Sequence, residues 1–229
     1  MDFDTGKGPD REEGSSQQPE EEPRRTSGDS STAEFTYTDP IQSYVETVRN
    51  LVTQPANFFA GIARQGDFIN PLIFALVGVV VTAVISRVLG ILGAIVGLGN
   101  RGIGGALGGL VSSIFIAPIF FTIALFIGAG IMHLLVMLIV KPAFTGYEAS
   151  FRILSYSAVA QLIGWIPFLG PLVAAVATVV LAIIGVREVH STTTGKAALV
   201  VLIPAMVGFL IALILVALVG AALFFTLQQ

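Results

Sequence analysis

Leu110–Val140 reads LVSSIFIAPIFFTIALFIGAGIMHLLVMLIV, with no Asp, Glu, Lys or Arg anywhere in it. A helix needs about 20 predominantly apolar residues to cross a bilayer. This run exceeds that length, so it must tilt or break, and Pro118 is the natural break point. A second run of the same kind, Ala197–Phe225 (AALVVLIPAMVGFLIALILVALVGAALFF), lies near the end of the chain with Pro204 inside it. Working outward, residues 71–229 hold only two acids, Glu148 and Glu188, and six basic residues. A soluble domain is about 25% charged, whereas eight charges in 159 residues cannot cover a water-facing surface. The solvent for this part is lipid.

The remaining charge sits in front. Residues 1–70 carry 13 of the 15 acids and six of the twelve basic residues. Residues 1–38 form an acidic tail, and positions 1–34 have too few aliphatic side chains to offset the entropy of ordering, so the tail is expected to be disordered. Glu20-Glu21-Glu22 is a possible dock for a basic partner, with a solvated tail the simpler reading. This segment has no apolar core of the signal-peptide kind. Cysteine is absent, which removes disulfides, thiolate nucleophiles and cysteine metal sites.

Residues 39–69 predict two amphipathic helices. Asp39-Pro40 is a capping residue followed by proline at the first helical position. Ile41, Tyr44, Val45, Val48, Leu51 and Val52 then recur at spacings of three and four, with polar residues opposite. Pro55 ends this helix and opens another, which carries Phe58, Phe59 and Ile62, with Gly66 as its stop. Neither helix is long or apolar enough to span, and both suit the membrane interface.

Asn70-Pro71 repeats the capping signature and opens a membrane domain over 70–229. Five spans are expected at about 71–88, 110–140, 153–166, 172–186 and 197–225, the short third and fourth forming a hairpin turned by Pro167–Pro171. The fold class is therefore all-α: a polytopic helical membrane bundle with interfacial helices before the first span. Basic residues fix the orientation. Arg64, Lys141, Arg152, Arg187 and Lys196 fall on one side, Arg87 and Arg101 on the other, so the N-terminus is expected in the cytoplasm and the C-terminus outside the cell membrane.

Few motifs carry chemistry. Gly97-Leu98-Gly99-Asn100-Arg101-Gly102 matches Gly-x-Gly-x-x-Gly literally but lacks the preceding strand and following acid of a nucleotide site. Gly93/Gly97, Gly104/Gly108 and Gly105/Gly109 fit the small-residue spacing of close helix contacts, or a plain flexible loop. His133 lies inside a span, where an ionisable group is a functional candidate; a neutral imidazole bonded to a neighbouring helix is the simpler role. Ser150, Ser157 and Gln161 share one face of the third helix and read as interhelical contacts or, more weakly, a polar path. Two histidines 57 residues apart make a poor metal site. Trp165 marks a headgroup belt, and Thr192–Thr194 can cap the last helix. No nucleophile elbow, phosphate loop or paired intramembrane acid is present, so neither catalysis nor a cofactor is expected, and nothing suggests nucleic acid.

Several short segments, taken in order, carry a family resemblance: Pro55 with Phe58-Phe59; Asn70-Pro71-Leu72; Gly146-Tyr147 with Phe151-Arg152-Ile153-Leu154-Ser155-Tyr156; Ile166-Pro167-Phe168-Leu169-Gly170; and Ile184–His190 followed by Gly195-Lys196-Ala197. Over about Pro55 to Pro204 the chain resembles the Yip domain family, the Ypt/Rab-GTPase-interacting membrane proteins and their prokaryotic relatives. The Asp-Leu-Tyr-Gly-Pro motif of eukaryotic members is absent before the first span, which points to a prokaryotic-type member. The resemblance implies five spans, a cytoplasmic N-terminus, no enzymatic activity and, in eukaryotic relatives, binding to lipidated GTPases and to one another. Two functions stand. One is a scaffold or adaptor in the bilayer that binds a membrane or cytoplasmic protein, a second copy of itself included, through Tyr147, Glu148, Arg152, Arg187, Glu188 and His190. Internal Glu148–Arg187 or Glu188–Arg152 pairs are the structural alternative for that cluster. The other is a small solute or ion transporter or channel using the glycine-rich segment, His133 and Gln161.

Overall fold

The computed structural model describes Met1 and residues 34–96, 102–141 and 146–227. The expected disordered tail, the Glu20–Glu22 run and most of the Gly97–Gly102 stretch lie outside these residues. The described chain is helical, with no strand. Two short helices come first, α1 (Pro40–Thr53) and α2 (Pro55–Gly61). Each starts with proline at its first position, where the missing N–H costs nothing.

Four helices are long and apolar enough to cross a membrane: α3 (Ile69–Ile95), α4 (Gly102–Leu135), α6 (Leu169–Val189) and α7 (Thr194–Leu227). A π-helical turn, Val136–Val140, extends α4 and closes at Lys141 with a positive φ of 53°. α3 and α4 run further into the glycine-rich segment than expected, because glycine is tolerated within apolar helices. The expected span at 153–166 is not one continuous apolar helix. It divides into α5 (Tyr147–Ser157) and a tighter 3₁₀ segment, Ala158–Ile163.

The start of α3, the end of α4, the end of α6 and the start of α7 meet α1, α2 and α5 at one end, called here the cap end. The packed core gathers there. Its buried members on α3 are Phe74 and Ala75, within seven residues of the helix start. On α4 and its extension they are Leu125, Ala129, Met132 and Val136; on α7 they are Ala197, Val200 and Val201. Phe58, Phe59 and Ile62 of the α2 region join them, as do Phe151, Ile153 and Tyr156 of α5. From Ala205 to Ala222, every side chain of α7 is exposed.

Two glycines make close packing possible. A Cβ at Gly185 would stand 2.6 Å from Ile153 Cγ2 and 3.2 Å from the Phe59 ring. One at Gly170 would collide with the Ile163 carbonyl, where α6 folds back on the 3₁₀ segment.

Candidate functional site

Polar chemistry also collects at the cap end, and the buried guanidinium of Arg152 organises it. Only 6% of this side chain is exposed. Its Nη1 pairs with the Glu34 carboxylate. Its Nη2 donates to the Asp67 carbonyl at 3.2 Å and lies 3.3 Å from the Asp67 carboxylate. Tyr156, one turn further along α5 on the same face, donates its hydroxyl to Glu34 at 2.9 Å. The Ala63 N–H donates to the other Glu34 oxygen at 2.7 Å. A charge taken out of water needs such a set of partners, and this set ties three separate segments together.

These bonds hold Glu34, which falls within the expected 1–38 tail, against the bundle. Residues 34–38 form a strap across the bundle. Phe35 is buried against Tyr44 and Phe74, with ring centres 6.1 and 6.0 Å away. The Tyr37 N–H donates to Asn70 at 3.1 Å, and Ser43 donates its hydroxyl to the Thr36 carbonyl at 2.9 Å.

Of the six residues of the expected interaction face, four are partly exposed and two are not. Arg152 and His190 are buried. Tyr147 is half-buried; its hydroxyl donates to the Phe126 carbonyl at 2.8 Å and its ring packs on Phe68 and His133. Glu148 sits in the first turn of α5, where a carboxylate complements the helix dipole. Arg187 pairs with its neighbour Glu188 at 2.6 Å. The ion pairs described here are thus Arg152 with Glu34 and Asp67, and Arg187 with Glu188, in place of the expected cross-loop pairs.

Both nitrogens of His190 are buried without a hydrogen-bond partner among the described residues. Burial first, then the positive fields of His133 and Arg64, push its pKa down to about 4. The fold thus brings the two histidines into one neighbourhood despite their sequence separation. His133 Nδ1 stands 3.4 Å from the Ser150 hydroxyl. The Gln161 backbone carbonyl, rather than its side chain, accepts a bond from Thr82 at 2.7 Å. Far from the cap, Arg87 donates to Ser113 at 2.8 Å, joining α3 to α4.

Sequence reasoning missed Glu34, Asp67 and Tyr156. The available signal was Phe35 and Tyr37, two aromatic residues closing a segment otherwise poor in them.

Two cavities among the described residues have apolar linings. One of about 210 Å³ lies between α4, α6 and α7, against Met132, Thr178 and Pro204. The other, of about 400 Å³, is a groove between α1 and α3.

No curated protein and no solved structure matches the chain. The family model of the Yip1 domain matches residues 49–226. That stretch takes in α2 to α7 and the last turn of α1, well over half the chain, so the protein belongs to the Yip1 domain family of membrane proteins.

Proposed function

We propose that this chain is a non-enzymatic membrane scaffold. In this reading it crosses the cell membrane five times from a cytoplasmic N-terminus, and its cap engages partner proteins. The observation that carries it is the common location of most of the packed core and of the ion pairs. Both sit at the cap end, while the far reaches of α7 expose only side chains suited to lipid.

The third crossing is α5 with its 3₁₀ continuation. Eleven residues at 1.5 Å and six at 2.0 Å rise about 28 Å, close to a hydrocarbon core of about 30 Å. In this reading Lys141 after α4, Arg187 at the end of α6 and Lys196 at the start of α7 lie on the cytoplasmic side, in keeping with the positive-inside rule.

α1 supports an interfacial position by its three faces. It buries Ser43, Thr47 and Leu51 against the protein. It exposes Ile41, Val45 and Val52 along one stripe, and Gln42, Glu46 and Arg49 along another. A helix lying between protein, bilayer and water needs those three faces. The water-facing stripe and the Arg187–Glu188 pair are the polar surfaces offered to a partner.

The transporter reading relies on the glycine-rich segment, His133 and Gln161. The contact of His133 with Ser150 and Tyr147, and that of Thr82 with the Gln161 carbonyl, join helices to one another, which favours the scaffold.

The test is a photo-crosslinking amino acid placed at Glu46, Arg49 or Glu188, and at Phe168 in the far turn, in native membranes. Discrete protein adducts from the cap positions, absent from Phe168, support the scaffold. Solute flux through the purified chain in liposomes would overturn it.

A further inference from the structure

The groove between α1 and α3 has a lining that a water-facing surface would not tolerate. Phe35 and Tyr44 form its floor, Ile41 and Val45 of α1 one wall, and Val77 and Val81 of α3 the other. Its volume of about 400 Å³ falls within the ~300–1,000 Å³ range of small-molecule sites. Ile41 is 80% exposed and Val45 62%, so α1 turns aliphatic side chains outward while it buries Ser43 and Thr47.

The other wall fixes what lies beside it. Val77 and Val81 are exposed on α3, a helix long and apolar enough to cross the membrane. The groove is therefore continuous with the lipid-facing surface of a span. From Ile73 to Val81 it follows α3 for about 12 Å, at 1.5 Å per residue, running inward from the end where α1 lies. Tyr37 stands at the rim, 58% exposed, as an aromatic does at headgroup level.

We propose that this groove holds one acyl chain of a phospholipid drawn from the leaflet in which α1 lies. The chain completes the junction between the interfacial helix and the span, covering Ile41 and Val45 on one side and Val77 and Val81 on the other. The lining carries no charge, so the site selects the chain and is indifferent to the headgroup. The inference rests on the reading of α1 as an interfacial helix and α3 as a span.

The full chain is reconstituted in vesicles of phosphatidylcholine that carries a diazirine on one acyl chain, irradiated, and mapped by peptide mass spectrometry. The expected result is labelling of segments 41–45 and 73–81 several-fold above that of 206–216 in α7, an exposed apolar stretch. Filling the groove by Val77→Trp or by Val81→Trp should abolish the excess and leave α7 labelling and the melting temperature unchanged. The excess should persist when phosphatidylglycerol replaces phosphatidylcholine as the carrier of the diazirine. Equal labelling of groove and α7, unaffected by either tryptophan, would reduce the groove to ordinary lipid contact and overturn the proposal. Disulfide-linked dimers of a Val45→Cys chain would overturn it too, by placing a second copy there. Treatment of the Val45→Cys chain with a membrane-impermeant maleimide separates the two levels of failure. Reaction of that thiol sinks the interfacial reading itself, whereas a protected thiol without groove labelling sinks only the lipid site.

Discussion

Arg152 shows how one buried charge organises a membrane protein's entrance. Its guanidinium holds Glu34 from the strap and Asp67 from the approach to α3. Removing one partner of a buried pair typically costs about 3–5 kcal/mol, because the other charge is left uncompensated. Arg152→Ala and Glu34→Ala should each lower detergent stability by several degrees, and the double variant should lose less than the two losses added. Thermal unfolding of all four proteins measures this coupling, and additive losses would mean that the pair is not coupled. His190 gives a pH dependence. Its pKa is about 4 when folded against an ordinary 6.5, so between those values the unfolded chain binds the extra proton. Stability should hold above pH 6.5, fall as pH drops towards 4, and change no further from this group below that, by at most about 3 kcal/mol. His190→Asn should flatten that part of the profile. His133 and Arg64, the other groups acting on it, remain in place in that variant.

Among the elements, α1 and the α5–α6 hairpin carry the finer arguments. Gly185 admits Ile153 and Phe59 against α6. Gly185→Leu should therefore cost about 1–3 kcal/mol through overpacking, whereas Gly195→Ala, with open space around its Cβ position, should cost far less. A melting comparison of the two variants tests whether this contact sets the hairpin's seat. The contrast between α1 and α5 also shows what could be read from the sequence. Asp39-Pro40, Pro55 and the aliphatic spacing between them gave α1 and α2 their starts, because proline and helical period act locally. Which of α1's polar residues turn inward was not legible: Ser43 and Thr47 are buried against the protein, although the spacing of Ile41, Val45 and Val52 shows only one apolar stripe. The break of α5 into a 3₁₀ segment after Ser157 was equally hidden, since close packing against α3 and α6 imposes it. The family resemblance came from short local strings and so was readable. The Glu34–Arg152 contact joins positions 118 apart, and no periodicity encodes it.

At the scale of the molecule, the concentration of the large core side chains at the cap end makes a mutational map that should be asymmetric. Met132, 2% exposed in the core, should cost about 2–5 kcal/mol as Met132→Ala. Leu213, 50% exposed on α7, should cost no more than about 0.5 kcal/mol as Leu213→Ala. Equal losses would mean that the far part of α7 is packed against a neighbour. The orientation of the whole assembly is open to one measurement, because the chain has no native cysteine. The single variants Val45→Cys, Glu46→Cys, Phe168→Cys, Glu188→Cys and Thr226→Cys are exposed to a membrane-impermeant maleimide in vesicles of known sidedness. Five crossings with an interfacial α1 require Glu46→Cys and Glu188→Cys to react only from the cytoplasmic side. Phe168→Cys and Thr226→Cys must react only from the opposite side, and Val45→Cys from neither until detergent is added. Reaction of Glu46→Cys and Thr226→Cys from the same side, or of Val45→Cys as fast as Glu46→Cys, would contradict it.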